Sequence, residues 1–268
     1  AGQGGVLKYV GTTHETVSKT IQCDTSIGIR LESDSVGGSI TFNGAFSQTN
    51  RGLYLGGTGT GDNRLDTAFT GNGTLTKRDS GTWILGADNT YTGTTRVTGG
   101  TLLVEGSTAA TGLVIVSSGA TIGGSGSVGD VTVLDGDLSP GGALGNTFLV
   151  NNLYVDPASG LRFGLADPMV AGDNDSVYIA ETLTLGGQLH VTPQTGVPAY
   201  DFTTATPGTQ WTLFTYSPGN LAVSGDLIIV SAPALASGLG WSVDTTSSDS
   251  SVFLVVVPEA GTAALLGL

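Results

Sequence analysis

The 268-residue chain has few of the residues that many soluble domains use: one Cys, one Met, nine basic residues and 7% aromatic residues. Because Cys23 is the single cysteine, an intrachain disulfide is excluded, and stability has to come from backbone pairing and packing. Residues that favour helices, such as Lys, Glu, Met and Gln, are scarce, and no long stretch has helical periodicity. No apolar run reaches the roughly 18 residues of a membrane helix. The sequence therefore excludes a helical protein and predicts no helical membrane span.

Positive charge is missing from the C-terminal part of the chain. All nine basic residues lie at or before Arg162, so residues 1–162 carry a net charge of −4 and residues 163–268 carry −9. Nucleic-acid binding needs a basic stripe that displaces counterions from phosphates, and an anionic membrane surface attracts basic segments. The net charge of −13 therefore predicts no nucleic-acid partner and disfavours an anionic membrane surface.

Glycine, in contrast, is abundant, with 44 residues. It follows no three-residue period, which excludes collagen, and a hydrophobic content of 39% is too high for a disordered chain. Many glycines directly precede short apolar, β-branched runs, as in Gly81-Thr82-Trp83-Ile84-Leu85 and Gly100-Thr101-Leu102-Leu103-Val104. Each such run is typical of a turn that enters a strand of about four residues. The chain is predicted to be all-β.

An apolar landmark recurs at intervals of 20, 16, 23 and 28 residues. These intervals match single coils of a solenoid, although they are too uneven for a strict repeat. A parallel β-helix (β-solenoid) stacks each strand on the strand of the preceding coil, with Gly at the tight corners. The alternative, a Greek-key sandwich, needs hairpin turns spaced by about 8 to 12 residues. The landmark residues are Leu102, Ile122, Leu138, Leu161 and Leu189.

Residues 73–107 carry a more specific pattern, which runs Gly-Thr-x-x-Leu, then Asn-x-Tyr-Thr-Gly-x-Thr, then Gly-Thr-Leu. This segment resembles the autotransporter-associated β-strand repeat. The resemblance implies a passenger-type β-helix of the kind displayed on bacterial surfaces. Within the segment, Asn89 and Gly93 can adopt left-handed turn conformations, and Tyr91 can cap the edge of the core. The matching positions are Gly81, Thr82, Leu85, Asn89, Tyr91, Thr92, Gly93, Thr95, Gly100, Thr101 and Leu102.

The texture of the sequence changes near residue 170, where Gly becomes less frequent and Pro and large aromatic residues appear. We therefore predict a β-solenoid over 1–169, a C-terminal, partly antiparallel β cap over 170–257 and an apolar tail over 258–268. The tail begins Pro258-Glu259-Ala260 and resembles the start of a PEP-CTERM sorting signal, with Ala260 in place of the second Pro. The opening Ala1-Gly2-Gln3-Gly4-Gly5 resembles a secreted protein after signal-peptide removal. An extracellular or cell-surface location is expected.

Side chains that could carry chemistry are few and scattered. His14 and His190 have no second metal-type ligand nearby in the sequence, and Cys23 has the context of a small buried side chain. Paired carboxylates could cleave polysaccharide, and a turn rich in Asp and Asn could bind calcium, but turn formation is the favoured explanation. We therefore predict no catalytic residue, no cofactor-binding residue and no metal ligand. The carboxylates considered are Asp130, Asp135, Asp137 and the Asp173-Asn174-Asp175 turn, and Gly123-Gly124-Ser125-Gly126 is interpreted as a plain turn.

These features together favour a non-catalytic, secreted structural protein of the bacterial cell surface or extracellular matrix. The ends of a β-solenoid are templates for another copy, so a homo-oligomer or head-to-tail filament is predicted. The asymmetry of charge would favour contact between the cation-bearing end of one copy and the acidic end of the next. The alternatives are an adhesin or glycan-binding β-helix, with polysaccharide or surface matrix as the partner, and a polysaccharide-degrading enzyme.

Overall fold

The computed structural model describes residues 5–22, 28–47, 51–141, 146–170, 172–195 and 197–259. Within these ranges the chain forms 26 strands and one short 3-10 helix, Phe202–Thr204. The strands are β1 Val6–Tyr9, β2 His14–Val17, β3 Ile21–Gln22, β4 Ile29–Ser33, β5 Ser39–Phe42, β6 Phe46–Ser47, β7 Leu53–Gly56, β8 Asn63–Leu65, β9 Leu75–Lys77, β10 Thr82–Leu85, β11 Thr95–Val97, β12 Thr101–Val104, β13 Leu113–Ser117, β14 Thr121–Gly124, β15 Ser127–Val128, β16 Asp130–Leu134, β17 Asp137–Pro140, β18 Thr147–Val150, β19 Leu153–Val155, β20 Gly160–Leu165, β21 Ser176–Ile179, β22 Leu183–Pro193, β23 Gln210–Tyr216, β24 Leu221–Ser231, β25 Leu239–Asp244 and β26 Ser251–Pro258.

The strands stack in three parallel columns, which is the architecture of a parallel β-helix. The first column runs β1-β4-β7-β9-β11-β13-β16-β19-β22-β24, and the second runs β2-β5-β8-β10-β12-β14-β17-β20-β22-β24. The third is continuous from β15 through β18 and β21 to β23. The predicted β-solenoid is confirmed, and the Greek-key alternative is excluded.

The landmark residues of the sequence lie directly above one another in the second column. Leu102 pairs with Ile122, Ile122 with Leu138, Leu138 with Leu161, and Leu161 with Leu189. All five side chains are at most 1% exposed. The uneven intervals are therefore true coil lengths: each loop between columns differs in size, while the strands keep their register.

Alternation along each short strand places one side chain in two inside the solenoid. In β11 and β16, for example, Val97, Val131 and Val133 are buried while the residues between them face outward. Inward residues of successive coils form one continuous apolar core from Leu31 to Val256. This explains how a chain with few aromatic residues builds a core, because the stacking of many small apolar side chains replaces a few large ones.

The C-terminal end has a different strand arrangement. Past β23 the third column continues with β26 and then β25, and both of these pairings are antiparallel. The Trp241 indole packs against Trp211, with 5.2 Å between ring centroids, and donates its N–H to the carbonyl of Pro233 at 2.8 Å. The predicted partly antiparallel cap is confirmed.

Parallel stacking, however, continues beyond residue 169, where the change in Gly, Pro and aromatic content predicts the end of the solenoid. β22 and β24 still stack in parallel. Leu183 pairs with Leu221, so this coil is 38 residues long. The coil that leads from Val114 to its register partner Val131 is shorter, at 17 residues. Longer coils carry proportionally fewer corner glycines, so the texture of the sequence changes before the fold does. Antiparallel pairing within the described residues involves β23, β25 and β26 only, apart from one isolated bridge between Gly124 and Gly141.

Candidate functional site

The residues of the repeat pattern hold neighbouring coils together. Asn89 is 2% exposed, and its side-chain oxygen accepts a hydrogen bond from the backbone N–H of Phe69 at 2.9 Å. Its amide nitrogen donates to the carbonyls of Ala87 at 2.7 Å and Ser107 at 3.1 Å. Phe69 and Ser107 belong to the coils on either side, so one side chain bridges three coils. Asn89 does not adopt the left-handed conformation that its residue type allows, since its φ is not positive.

Asn63 forms the same kind of bridge one coil earlier, which the sequence analysis missed. It is fully buried, accepts from the N–H of Ile40 at 3.3 Å and donates to the carbonyls of Gly61 and Thr82, both at 3.0 Å. A buried amide with all its polar atoms engaged stabilises a solenoid because each neighbouring coil has backbone groups left over at its corners. An Asn preceded by Asp and a small residue, as in Gly61-Asp62-Asn63 and Ala87-Asp88-Asn89, is the sequence signal.

Tyr91 and Gly93 also serve the packing of the coils. The Tyr91 ring is 1% exposed and lies against Phe69, with 5.1 Å between centroids, while its hydroxyl bonds that of Thr95 at 2.6 Å. It therefore lies within the core and does not cap the core edge. Gly93 has no positive φ either, so it does not use the left-handed conformation open to glycine. A Cβ at Gly93 would lie 2.3 Å from the carbonyl oxygen of Gly73, so glycine is required there for close approach of two coils.

Lys77 is an unexpected cation in the core. It is fully buried at an inward position between Leu55 and Val97, and its ammonium donates to the carbonyls of Arg78, Asp79 and Gly99 at 2.7, 2.9 and 2.9 Å. Burial lowers the pKa of Lys77 to about 8. All three N–H donors are engaged with backbone oxygens, so Lys77 secures the turn at Asp79, whose φ is +58°. Its arrangement is that of a structural cation.

The two histidines lie near opposite ends of the second column, where His14 is exposed and His190 is half-buried. His14 Nδ1 is 2.7 Å from the hydroxyl of Ser39, and His190 Nδ1 is 3.1 Å from the hydroxyl of Ser231. In each pair the Ser is the register partner on the next coil. A nucleophilic triad also needs a carboxylate that orients the imidazole, and no hydrogen bond from either ring to a carboxylate is present in the described structure. Both pairs are rungs between neighbouring coils.

The candidate carboxylates have separate partners. Asp130 accepts hydrogen bonds from the amides of Asn151 and Asn152 at 3.1 and 2.8 Å. Asp137 pairs with the Arg162 guanidinium at 3.0 Å. Asp135 occupies a turn with a φ of +54°. Each of these contacts joins one coil to the next or shapes a corner. No two of the three carboxylates share a partner, so the structure does not show a reactive pair among them.

The Asp173-Asn174-Asp175 turn is held by hydrogen bonds to backbone. Asn174 accepts from the N–H of Ala166 at 2.6 Å and donates to the carbonyl of Asp167 at 3.0 Å. Asp175 is 5% exposed and accepts from the N–H of Gly164 at 2.7 Å and from the amide of Gln194 at 3.0 Å. Burial raises the pKa of Asp175 from its ordinary value of 3.8 to about 6. No cluster of three His, Cys, Asp or Glu side chains that could hold a metal occurs among the described residues.

At least five of the nine basic residues pair with acids, and four of the five do so across coils. Lys8 pairs with Asp34, and Arg30 and Arg78 both contact Glu32. Arg64 contacts Asp66 and Glu105, the latter at 2.7 Å. These pairs are on the lateral faces, so the positive charge of residues 1–162 is largely neutralised along the solenoid and does not collect at its N-terminal end.

The N-terminal end of the solenoid presents unpaired strand edges. Within the described residues β1 pairs with β4 alone, β2 with β5 alone and β3 with β6 alone. Leu7 is an inward residue but is 42% exposed, whereas Leu31, its register partner on the next coil, is fully buried. We call β1 and β2 the N-terminal edge. It combines free backbone groups with the exposed core residue Leu7.

A groove of about 900 Å³ lies where the solenoid meets the cap. One wall is the turn at Pro168-Met169-Val170, the floor is the outer face of β23, and the opposite wall runs from Tyr200 to Thr209. We call this the junction groove. The sequence does not reveal this groove, because its walls come from segments that are distant in sequence. The alternating Gln210-Trp211-Thr212 pattern, with Trp211 buried and its neighbours exposed, is the local signal.

Some predicted features lie outside the described residues, namely Cys23 and the part of the apolar tail from Ala260 to Leu268. Of the tail, Pro258 ends β26, and the backbone N–H of Glu259 donates to the carbonyl of Gly238 at 3.0 Å. In the part of the chain that the structure describes, no helix has the length and apolarity to cross a membrane.

Comparison with known proteins agrees with the repeat pattern. Residues 75–104 match the family model described as passenger-associated-transport-repeat. The chain is 38% identical over 136 residues to "Adhesin BmaC autotransporter" of Brucella suis biovar 1 (strain 1330), an alignment that covers 48% of this chain and 4% of the relative. It is 31% identical over 124 residues to "Extracellular serine protease" of Serratia marcescens, covering 46% of this chain and 11% of the relative.

The chain thus spans only a small fraction of the length of these two relatives. The matched segment begins at β9 and ends with β12, so it includes Lys77, Asn89, Tyr91 and Gly93, whose contacts are described above. The predicted resemblance is confirmed: this β-helix carries an autotransporter passenger repeat.

Proposed function

We propose that the protein is a non-catalytic structural β-helix of the bacterial cell surface or extracellular matrix that self-associates end to end. The observation that carries this proposal is the N-terminal edge, where strands of two columns have unpaired backbone groups beside the exposed Leu7. Such edges add further strands readily unless they are covered, charged or interrupted by proline. The resemblance to surface-displayed passengers supports the location.

The partner edge belongs to β24 of a second copy. β24 closes both the first and the second column, and within the described residues it pairs in the sheet with β22 alone. One strand of 11 residues therefore offers a free edge to the same two columns that β1 and β2 begin at the other end. Parallel addition of β1 and β2 to β24 would continue the coil from one molecule into the next.

Charge contributes less to this contact than the sequence suggests. Because Lys8, Arg30 and Arg78 are paired on the lateral faces, the interface would depend on backbone hydrogen bonds and on burial of Leu7. Association is therefore expected to persist at high salt, since only exposed charge pairs are strongly screened.

The test uses proline on the N-terminal edge. The carbonyls of Gly5 and Tyr9 accept hydrogen bonds from β4 and from the residue that follows it, so the N–H of Val6 faces the free edge. The carbonyls of Thr13 and Val17 accept in the same way from β5 and from the residue that follows it, so the N–H of Thr16 also faces the free edge. The Val6→Pro/Thr16→Pro double variant should remain folded by circular dichroism but be monomeric by size-exclusion chromatography with light scattering. Wild-type protein should form linear assemblies in negative-stain electron microscopy.

The matched control is Val36→Pro, at a turn residue that is 79% exposed. It should assemble like the wild type. A wild-type protein that stays monomeric at 100 µM and at raised salt, or a double variant that assembles normally, would overturn the proposal.

A second candidate function is adhesion through a glycan-binding surface. The specific observation that favours it is the junction groove, and one of the relatives is named an adhesin. A polysaccharide-degrading enzyme has less support, because Asp130 and Asp137 have separate partners on different coil contacts. The relative named a protease aligns over 46% of this chain, and neither histidine has the contacts of a catalytic base.

A further inference from the structure

We propose that the junction groove binds a neutral oligosaccharide. The groove has the size of a small-ligand site, about 900 Å³. The proposal is independent of end-to-end association, because the groove lies at the cap and not at the N-terminal edge.

The floor of the groove offers hydrogen-bonding side chains that the protein itself does not use. Gln210 and Thr212 are exposed residues of β23, and Thr215 lies further along the same outer face. In the described structure, the Gln210 amide and the hydroxyls of Thr212 and Thr215 have no protein hydrogen-bond partner. An amide and hydroxyls that are free, uncharged and close together can both donate to and accept from the hydroxyls of a sugar.

The walls supply apolar contact. Met169 is 89% exposed on one wall, and Tyr200 on the other wall is half-buried, with its ring 5.0 Å from Phe202 and 5.9 Å from Trp211 between centroids. A half-buried tyrosine presents an apolar ring face beside a polar hydroxyl. Sugar rings have apolar C–H faces between their hydroxyls, so this combination fits a carbohydrate better than a purely apolar ligand.

Both walls are fixed by internal contacts, so the groove is formed without a ligand. Asn174 bonds Ala166 and Asp167 at the base of the Met169 turn, and the Asp167 carboxylate accepts from the N–H of Met169 at 2.9 Å. On the other side, Asp201 caps the 3-10 helix through the N–H of Thr203 at 3.0 Å. A preformed site avoids the entropic cost of ordering its walls when the ligand binds.

The charge of the groove selects the class of ligand. None of its lining residues is a cation, and the chain has no Lys or Arg after Arg162, so sulfated or uronic-acid polymers would find no counter-charge. The one carboxylate in the lining, Asp167, is engaged with the Met169 backbone. A peptide that adds as a strand is disfavoured as well, because β23 is already paired on both edges, with β21 and β26.

The experiment is isothermal titration calorimetry of the protein against defined hexaoses. The neutral probes are cellohexaose, maltohexaose, mannohexaose and chitohexaose, and the comparison probes are a heparin hexasaccharide, a polygalacturonate hexamer and an extended peptide, Ac-(Ser-Val)₄-NH₂. The wild type should bind at least one neutral hexaose and bind it more tightly than any comparison probe. Titrations on the Val6→Pro/Thr16→Pro variant should give the same affinity, which separates this proposal from self-association.

Two variants locate the site. Thr212→Arg fills the groove floor with a guanidinium and should weaken binding at least tenfold, and Gln210→Ala, which removes only the free amide, should weaken it severalfold. The matched control is Thr132→Arg, at an outward position of β16 on another face of the solenoid. It should bind like the wild type.

Each outcome decides the proposal. It is overturned if no neutral hexaose binds, if an anionic hexaose or the peptide is preferred, or if Thr212→Arg and Thr132→Arg affect binding equally. If Thr212→Arg fails to fold by circular dichroism, the result with Gln210→Ala decides.

Discussion

Replacement of Asn89 by Ala tests whether the repeat residues stabilise the solenoid by joining coils. The substitution leaves the buried N–H of Phe69 without an acceptor and removes donors from the carbonyls of Ala87 and Ser107. An orphaned buried donor costs about 1–3 kcal/mol, and each lost bond to a carbonyl costs about 1 kcal/mol. We therefore expect the free energy of unfolding to fall by about 3–5 kcal/mol.

The assay is urea denaturation followed by far-ultraviolet circular dichroism, combined with amide hydrogen exchange. The Phe69 amide should lose protection in Asn89→Ala, because its acceptor is gone, while amides of distant coils keep theirs. Asn63→Ala should cause a similar loss of stability, and the Ile40 amide should lose its protection, because that amide donates to the Asn63 side chain as the Phe69 amide donates to Asn89. The control is Asn43→Ala, an exposed turn residue, which should change stability by less than about 0.5 kcal/mol.

The reasoning would be refuted if Asn89→Ala cost less than about 1 kcal/mol and left the Phe69 amide protected. That result would mean that the backbone ladders alone hold the coils in register. The repeat pattern would then need another explanation, because Asn89 is 2% exposed and has almost no surface with which to contact a partner.

Other parts of the structure give three further predictions. Gly93→Ala should lower the melting temperature in calorimetry, by the equivalent of about 1–3 kcal/mol, because its Cβ would lie 2.3 Å from the carbonyl oxygen of Gly73; an unchanged melting temperature would contradict this close approach. Lys77→Met should lower the free energy of unfolding in urea by about 2–4 kcal/mol, since three carbonyls lose their hydrogen-bond donor; a more stable variant would contradict it. The pKa of Asp175, raised by burial from 3.8 to about 6, means that between pH 4 and 6 the folded state holds a proton that the unfolded state has lost. Its contribution to stability should therefore grow by up to about 3 kcal/mol as the pH falls from 6 to 4, and Asp175→Asn should remove that part of the pH dependence in denaturant titrations.

The architecture could be predicted from the sequence because strand stacking has a simple rule. Each coil must place its apolar residues above those of the coil before, so Leu102, Ile122 and Leu138 revealed the register even though the loops differ in length. The turn chemistry was harder to predict. Asn and Gly have several uses at a corner, and the sequence does not distinguish a left-handed turn from the amide bridge of Asn89 or the close approach at Gly93.

The candidate sites could be predicted only in part. Unpaired edges follow from any open solenoid, so the N-terminal edge was expected in kind. The junction groove was not, because Met169, Tyr200 and Thr212 come together only when the longest coils and the antiparallel cap are in place. The inferred meeting of opposite charges at the ends also depended on where each cation points. Lys8 and Arg30 point along the lateral faces to acids one coil away or within the same strand, which no charge count reveals.

Where polar side chains already form hydrogen bonds between coils, few polar groups remain free to bind a partner. In the matched repeat, Asn89, Tyr91 and Lys77 use their polar atoms on the protein itself, and Asp137 and both histidines are rungs between coils. Free polar groups collect instead where the stacking stops or changes direction. At the N-terminal edge these are backbone groups of β1 and β2, which suit another strand, and in the junction groove they are the side chains of β23, which suit a small neutral ligand. Both proposed activities therefore have one structural cause, an interruption of coil stacking, and we expect that substitutions can remove each of them and leave the other intact.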